Sequence, residues 1–349
     1  MKVSDFGFDL PAELVAQEPA PRGDSRLLVV DRASGARTHA SVADLPGLLR
    51  SGDALVVNDT RVFPARLLGR RVPSGGAVEC LLVGRLEGDR WDALMHPGQK
   101  LREGSRVSFG SPPRELHGEV LERRFHGRRT IRLWTEDGAG IDERVDELGH
   151  VPLPPYIKRA DRPDDRERYQ TVYARARGSV AAPTAGLHFT ADLLDRLAAR
   201  GVERIAITLH VGYGTFKPVR TDDVEQHQVD PEAYAISPAA ADALNRALDD
   251  GRRVVAVGTT TTRALESAAL SDTRSVHLQA DRGTADLFIY PGYTFKVVGG
   301  LLTNFHLPRS SLLMLVSAFA GRELILEAYR EAIEQRYRFY SYGDAMLIL

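Results

Sequence analysis

The sequence predicts an α/β protein: a mixed, largely parallel sheet with flanking helices, interrupted by a small antiparallel β-barrel. Three observations carry this. Short apolar runs alternate with capped helical segments through the C-terminal half. Six strand-like segments follow one another between 65 and 134 with no helical pattern between them. Clusters of Gly, Thr, His and Asn sit just beyond the predicted strands.

In the first part, 27–31 and 54–58 are apolar runs fit for buried strands. Between them, 41–50 has helical spacing, with Ser41 as N-cap. Segments near 65–72, 77–86, 90–96, 105–110, 116–124 and 128–134 are separated by Gly, Pro and Asp, which suits a small barrel. The Pro-rich stretch 151–155 reads as the return from it. The expected division is therefore 1–62 with 152–349 as a discontinuous α/β domain and 63–151 as the insert. Beyond the insert, Thr190 caps a helix with apolar face Leu193, Leu194 and Leu197, and Gly201 ends it. A strand over 204–211 follows. Ser237 caps the next helix, with Pro238 in its first turn and Gly251 after it. A strand at 254–258, a helix from about 260 to 270, a strand at 285–290 and helices near 311–320 and 322–336 complete the pattern. Such alternation implies a sheet covered on both faces.

A chain of 349 residues suits about two domains. With 43% hydrophobic and 27% charged residues it is an ordinary globular composition. Its one cysteine, Cys80, lies in an apolar run, so no internal disulfide or Cys-rich zinc site can form. No stretch is long and apolar enough to span a bilayer, and the first ten residues lack signal-peptide order. A cytoplasmic protein is expected. The net charge of −1 means that any nucleic-acid contact must come from local patches.

Five segments could carry chemistry, because ligands of open α/β sheets bind at strand ends. Asn58-Asp59-Thr60-Arg61 could orient an anionic group, although the same residues suit an Asx turn with a surface arginine. Residues 182–190 contain Thr184, Gly186 and His188 and end at a helix N-terminus. His210 opens the loop with Gly212, Gly214 and Thr215, which lacks the lysine and spacing of a nucleotide-phosphate loop. Residues 258–267 place Thr259 and Thr260 where a strand becomes a helix; Arg263 and Glu266, three apart, could simply pair on its surface. Residues 302–310 offer Asn304, Phe305 as a stacking face, and His306. Tyr340 to Asp344 add a phenol and an acid beside the last strand. His227 and Glu232 do not make a metal site by spacing, and no metal is expected.

Together these segments resemble the S-adenosylmethionine:tRNA ribosyltransferase-isomerase (QueA) family. The resemblance starts at Phe8-Asp9-Leu10-Pro11 and Gln17-Glu18-Pro19 and runs through Asn58 to Arg61, 151–157, Arg168 to Tyr173 and 178–189. It resumes at 210–216, 258–267, 286–293, 303–310 and 341–346. Its specificity lies in their joint order. One departure is visible: where the family usually carries a second histidine after the one matching His227, preceded by methionine, this chain has Val229 and Asp230, while Glu232 is kept.

The resemblance implies an enzyme acting on 7-aminomethyl-7-deazaguanine at the wobble position of transfer RNA. The ribosyl part of S-adenosylmethionine is transferred and isomerised to give epoxyqueuosine, with release of adenine and methionine. S-adenosylmethionine is consumed, no prosthetic group is expected, and the chain is expected to be a monomer. This chemistry needs a positioned base, a neutral acceptor amine and a dry site. His188, His210 and His306 are the candidate catalytic histidines, with Asp344 or Glu232 as carboxylate partners. The candidate substrate-binding residues are Asn58, Asp59, Arg61, Thr184, Gly186, Gly212, Gly214, Thr215, Thr259, Thr260, Arg263, Glu266, Asn304 and Phe305. For the RNA backbone the candidates are Arg66, Arg70, Arg71, Arg123, Arg124, Arg128 and Arg129 on the barrel, unless these merely protect strand edges. Another S-adenosylmethionine-dependent RNA-modifying enzyme would release S-adenosylhomocysteine instead. A non-catalytic RNA-binding protein would consume nothing.

Overall fold

The computed structural model describes residues 1–124, 127–216, 218–271 and 276–349. The chain begins with β1 (Arg26–Val30), β2 (Arg37–Ser41), α1 (Leu45–Leu48), β3 (Ala54–Asn58) and β4 (Thr60–Val62). It then enters β5 (Arg66–Val72), β6 (Ala77–Arg85), β7 (Arg90–His96), β8 (Arg106–Ser111), β9 (Arg114–Arg123) and β10 (Arg128–Trp134). Next come α2 (Ile141–Leu148), α3 (Asp165–Arg168), β11 (Ala176–Ser179), α4 (Ala191–Ala199), β12 (Glu203–Leu209), β13 (Glu232–Ile236) and α5 (Pro238–Asp249). The rest is β14 (Val254–Val257), α6 (Thr259–Ala268), β15 (Ala269–Ser271), β16 (Val276–Leu278), β17 (Asp281–Ala285), β18 (Gly300–Asn304), α7 (Ser311–Ala320), α8 (Arg322–Glu334) and β19 (Ala345–Ile348).

Nine strands form one sheet in the order β17-β13-β12-β3-β14-β18-β19-β1-β2. The run β12-β3-β14-β18 at its centre is parallel, as is β1 with β19. The remaining neighbours pair antiparallel. Strands β3, β14 and β18 are buried along their whole length, which is why Ala54–Asn58 and Val254–Val257 read as continuous apolar runs rather than alternating ones. Strands β5 to β10 close into a six-stranded antiparallel barrel with its own core, which includes Phe109, Leu116 and Ile131.

Local signals explain most helix starts. Thr190, Ser237 and Ser310 each accept a hydrogen bond from a backbone N–H in the first turn of their helices. Three expectations change. The helix over 41–50 shrinks to α1, because 37–41 forms the edge strand β2 and Ser41 caps a short 3₁₀ turn before it. The helix from 260 to 270 ends at Ala268, where the chain turns into β15. The strand expected at 285–290 is instead β17, which ends at Ala285. The apolar run after it packs on the core as a loop, with the Leu287 carbonyl satisfied by the Arg263 guanidinium, which also reaches the carbonyl of Ala285 at the end of β17.

Candidate active site

The C-terminal ends of β12, β3, β14 and β18 lie along one edge of the sheet, because those strands belong to the parallel run. Strand β19 is antiparallel to β18 and pairs Ala345 with Asn304, so residues 340–344 arrive at the same edge. There a hollow of about 540 Å³ opens. The turn Pro183–Ala185 and the N-terminus of α6, with Gly258, Thr259 and Thr260, line it from one direction. Asn304, Phe305 and His306 line it from β18, and Tyr156, Tyr340 and Ser341 complete it.

Gly258 has φ +93°, a conformation that a side chain would strain, and no side chain caps α6. The first amides of a ten-residue helix therefore meet the hollow without a built-in acceptor. Thr261 and Thr262 turn back onto the carbonyls of Val257 and Gly258. Thr259 and Thr260 are left to face the cavity.

Asn304 is 2% exposed. Its Nδ2 donates to the Tyr340 carbonyl at 3.0 Å and lies 3.3 Å from His188 Nε2. A carbonyl only accepts, so the amide can sit only this way round. Nε2 of His188 is then an acceptor, and its Nδ1–H donates to Ser25 Oγ at 2.9 Å. Asn304 Oδ1 is left buried with no hydrogen-bond partner among the described residues. Such a group costs about 1–3 kcal/mol unless something donates to it.

Burial pushes His306 down to about 3 and His188 down to about 4, so both imidazoles are neutral at ordinary pH. His306 lines the hollow and its Nε2 is 2.9 Å from Thr303 Oγ1. His188 lines a neighbouring hollow with Arg22 and Ser25 that shares Ser341 with the first. His210 stands apart from both: its Nδ1 is 2.8 Å from Thr60 Oγ1, and it packs on Gly178, where any side chain would strike its ring. Burial lowers His210 too, against the charge of Asp59.

The carboxylates have other partners. Asp344 accepts from the backbone N–H of Arg26 and Arg338. Burial pushes it up despite those bonds. Glu232 accepts from Gly212 N–H, Thr215 Oγ1 and, at 2.6 Å, Arg263. Burial raises it against the pull of that guanidinium. Arg263 and Glu266 do not pair on a helix surface. Glu266 is buried and clamps the following loop, accepting from Tyr293 Oη and the N–H groups of Lys296, Val297 and Val298. Glu232, Arg263, Gly214, His227, Val229 and Asp230 line a further hollow of about 520 Å³, which shares Thr215 and Leu312 with the first.

Other expected contact residues serve the scaffold. Asn58 bridges Leu209 through both its amide atoms and accepts from Thr60 N–H, an Asx turn. Asp59 accepts from Thr208 and Arg175. Gly186 makes room for Tyr173, and Gly214 for Asp230. The Phe305 ring is taken by Tyr329, Tyr337 and Phe339, with centroids 5.0–5.5 Å away. On the barrel, Arg66 pairs with Glu79, Arg124 with Glu122 and Arg128 with Asp92. Arg129 is buried, donating to the carbonyls of Leu101, Gly98, Arg124 and Arg128. Arg70, Arg71 and Arg123 have no ion-pair partner among the described residues. Sequence reasoning missed Tyr156, whose hydroxyl meets Ser341 Oγ and whose ring meets Tyr340 edge-on at 3.9 Å. It stands in the Pro-rich return, and no local pattern marks it.

Comparison with known proteins gives a consistent picture. A family described as queuosine biosynthesis protein matches residues 3–348. The S-adenosylmethionine:tRNA ribosyltransferase-isomerase of Symbiobacterium thermophilum is 56% identical over 100% of both chains, and that of Desulfitobacterium hafniense 51% identical over 100% of both. The crystal structure of S-adenosylmethionine tRNA ribosyltransferase from Thermotoga maritima is 36% identical. It matches 99% of this chain and 100% of its own with a TM-score of 0.55.

Proposed function

Because this chain belongs to the queuosine biosynthesis protein family, we propose that it is an S-adenosylmethionine:tRNA ribosyltransferase-isomerase. It transfers and isomerises the ribosyl moiety of S-adenosylmethionine onto 7-aminomethyl-7-deazaguanine at the wobble position. The product is epoxyqueuosine, and adenine and methionine leave. The observation that carries the site reading is the hollow lined together by the uncapped N-terminus of α6, Asn304 and His306.

The two groups are complementary to the donor. Uncapped helix amides suit the methionine carboxylate. The Asn304 amide suits the polar edge of a nucleoside base. The two hollows adjoin through Thr215 and Leu312, so the donor and an extruded base are assigned to neighbouring sites. The sulfonium acidifies the hydrogens on the adjacent 5′ carbon. His306 takes one of them through Nδ1, since Nε2 is held by Thr303. Burial leaves that imidazole unprotonated in the free protein, while also weakening it as a base. Loss of the proton gives an ylide-like carbon; the ribose opens, adenine leaves and the neutral acceptor amine adds. Closure of the carbocycle forms the epoxide and expels methionine. His188 is a positioning residue in this scheme: through Nε2 it fixes the Asn304 amide.

Residues 63–151 form the inserted barrel domain, with 1–62 and 152–349 as the catalytic body. Transfer RNA is a cytoplasmic substrate, which supports a cytoplasmic enzyme; no helix among the described residues is long and apolar enough to cross a membrane. The test is incubation with labelled S-adenosylmethionine and acceptor-bearing transfer RNA. Equal amounts of adenine and methionine are expected. S-adenosylhomocysteine in their place would identify a methyl transfer and overturn the reading.

A further inference from the structure

The largest cavity described lies away from the hollow, where the barrel meets the catalytic body. It measures about 780 Å³. One wall is the barrel end, with Phe63, Pro64, Asp146 and Val151. The other is β4 and β11 with α3. Four arginines line it: Arg61, Arg166, Arg175 and Arg177.

Their partners differ in a telling way. Arg61 is exposed and makes no ion pair or side-chain hydrogen bond among the described residues. Arg175 pairs with Asp59, but its side chain is 82% exposed, so the pair is screened and weak. Arg177 lies over the Phe63 ring and meets Asp146 and Asp142, both about half exposed. Arg166 donates to the carbonyls of Asp146 and Gly149, which consumes none of its charge. Asp165, the other acid of the cleft, is already neutralised by Arg159. The cleft thus keeps positive charge that solvent reaches, carried above all by Arg61 and Arg166, which have no ion-pair partner among the described residues.

The cleft is also held rigid and in register with the hollow. Gln170 clamps β4 by accepting from Val62 N–H and donating to Val62 O. Strand β11 carries Arg177 in the cleft, and the same chain reaches Ala181 in the hollow four residues later. Four residues span at most about 14 Å, the scale of one extruded nucleotide from phosphate to base.

We propose that this arginine-lined cleft binds the RNA phosphates that flank the nucleotide whose base enters the hollow. The inference rests on the transfer-RNA reading above, and it moves the backbone contacts from the barrel surface to the junction.

The test measures transfer-RNA affinity against salt, together with adenine release, for the wild-type enzyme and for Arg61→Glu and Arg61→Glu/Arg175→Glu. Arg61 has no internal partner to lose, so its variant keeps the fold. Affinity should fall roughly tenfold for the single variant and further for the double. The slope of log affinity against log salt should shrink by about 0.7 for each phosphate that is no longer neutralised. S-adenosylmethionine KM, and kcat at saturating RNA, should be unchanged, because Arg61 lines the cleft and not the hollow where it was expected to meet the donor. Wild-type affinity and slope in both variants would overturn the proposal. So would a drop in affinity caused by Arg70→Glu on the barrel but not by Arg61→Glu. A wild-type enzyme that neither binds transfer RNA nor releases adenine would instead remove the functional reading on which the proposal rests.

Discussion

His306 and His188 share a side chain and a depressed basicity but not a task. His306 lines the hollow and its Nδ1 has no partner among the described residues; His188 has both nitrogens engaged inside the protein. His306→Gln should therefore lower kcat by about 10²- to 10⁴-fold while S-adenosylmethionine KM moves only a few-fold. A variant with unchanged kcat would remove His306 as the base. Both imidazoles also couple stability to pH. Their folded values, about 4 and about 3, lie below the unfolded value of about 6.5. Between those limits the unfolded chain binds more protons, so stability falls as pH falls from 6.5. Thermal melts at pH 7, 6 and 5 should show Tm falling. His188→Asn should flatten that fall; an unaltered slope would contradict the burial argument. The presence of histidine, asparagine and threonine at strand ends was legible in the sequence. Their division of labour was not, because it depends on partners such as Ser25, 163 residues from His188.

At the scale of elements, the local signals were the readable ones. Thr190 and Ser237 cap α4 and α5 as expected, since a cap is a contact between neighbours in sequence. The misread stretch after β17 fails for the opposite reason: its Leu287 carbonyl is satisfied by Arg263 from α6, 24 residues away. That same arginine ties α6 to β13 through Glu232, in a pair whose side chains are 9% and 3% exposed. Glu232→Ala should cost about 3–5 kcal/mol, because it leaves a buried cation unmatched; chemical denaturation would measure it, and a loss below 1 kcal/mol would contradict the assignment. Arg129 plays a comparable part within the barrel. Arg129→Met should lower thermal stability, at about 1–3 kcal/mol for each carbonyl left unsatisfied. RNA affinity of the folded variant should be untouched, and a selective loss of RNA binding would return Arg129 to the RNA surface.

Across the whole molecule, the sheet does the gathering. Segments separated by up to some 180 residues in the chain meet because β14 and β18 run parallel while β19 returns beside them. The alternation of strands and capped helices made that sheet legible, and the six uninterrupted strands made the barrel legible. The cleft between the two bodies was not, because Arg61, Arg166, Arg175 and Arg177 come from three segments with no shared motif. The central claim is that four separate loops form one ligand-binding cavity. Amide hydrogen exchange with and without S-adenosylmethionine tests it most directly. Slowed exchange should arise together in 184–188, 258–262, 303–306 and 340–342, while the barrel strands stay as they were. Protection confined to one of those segments, or appearing only elsewhere, would contradict a shared cavity.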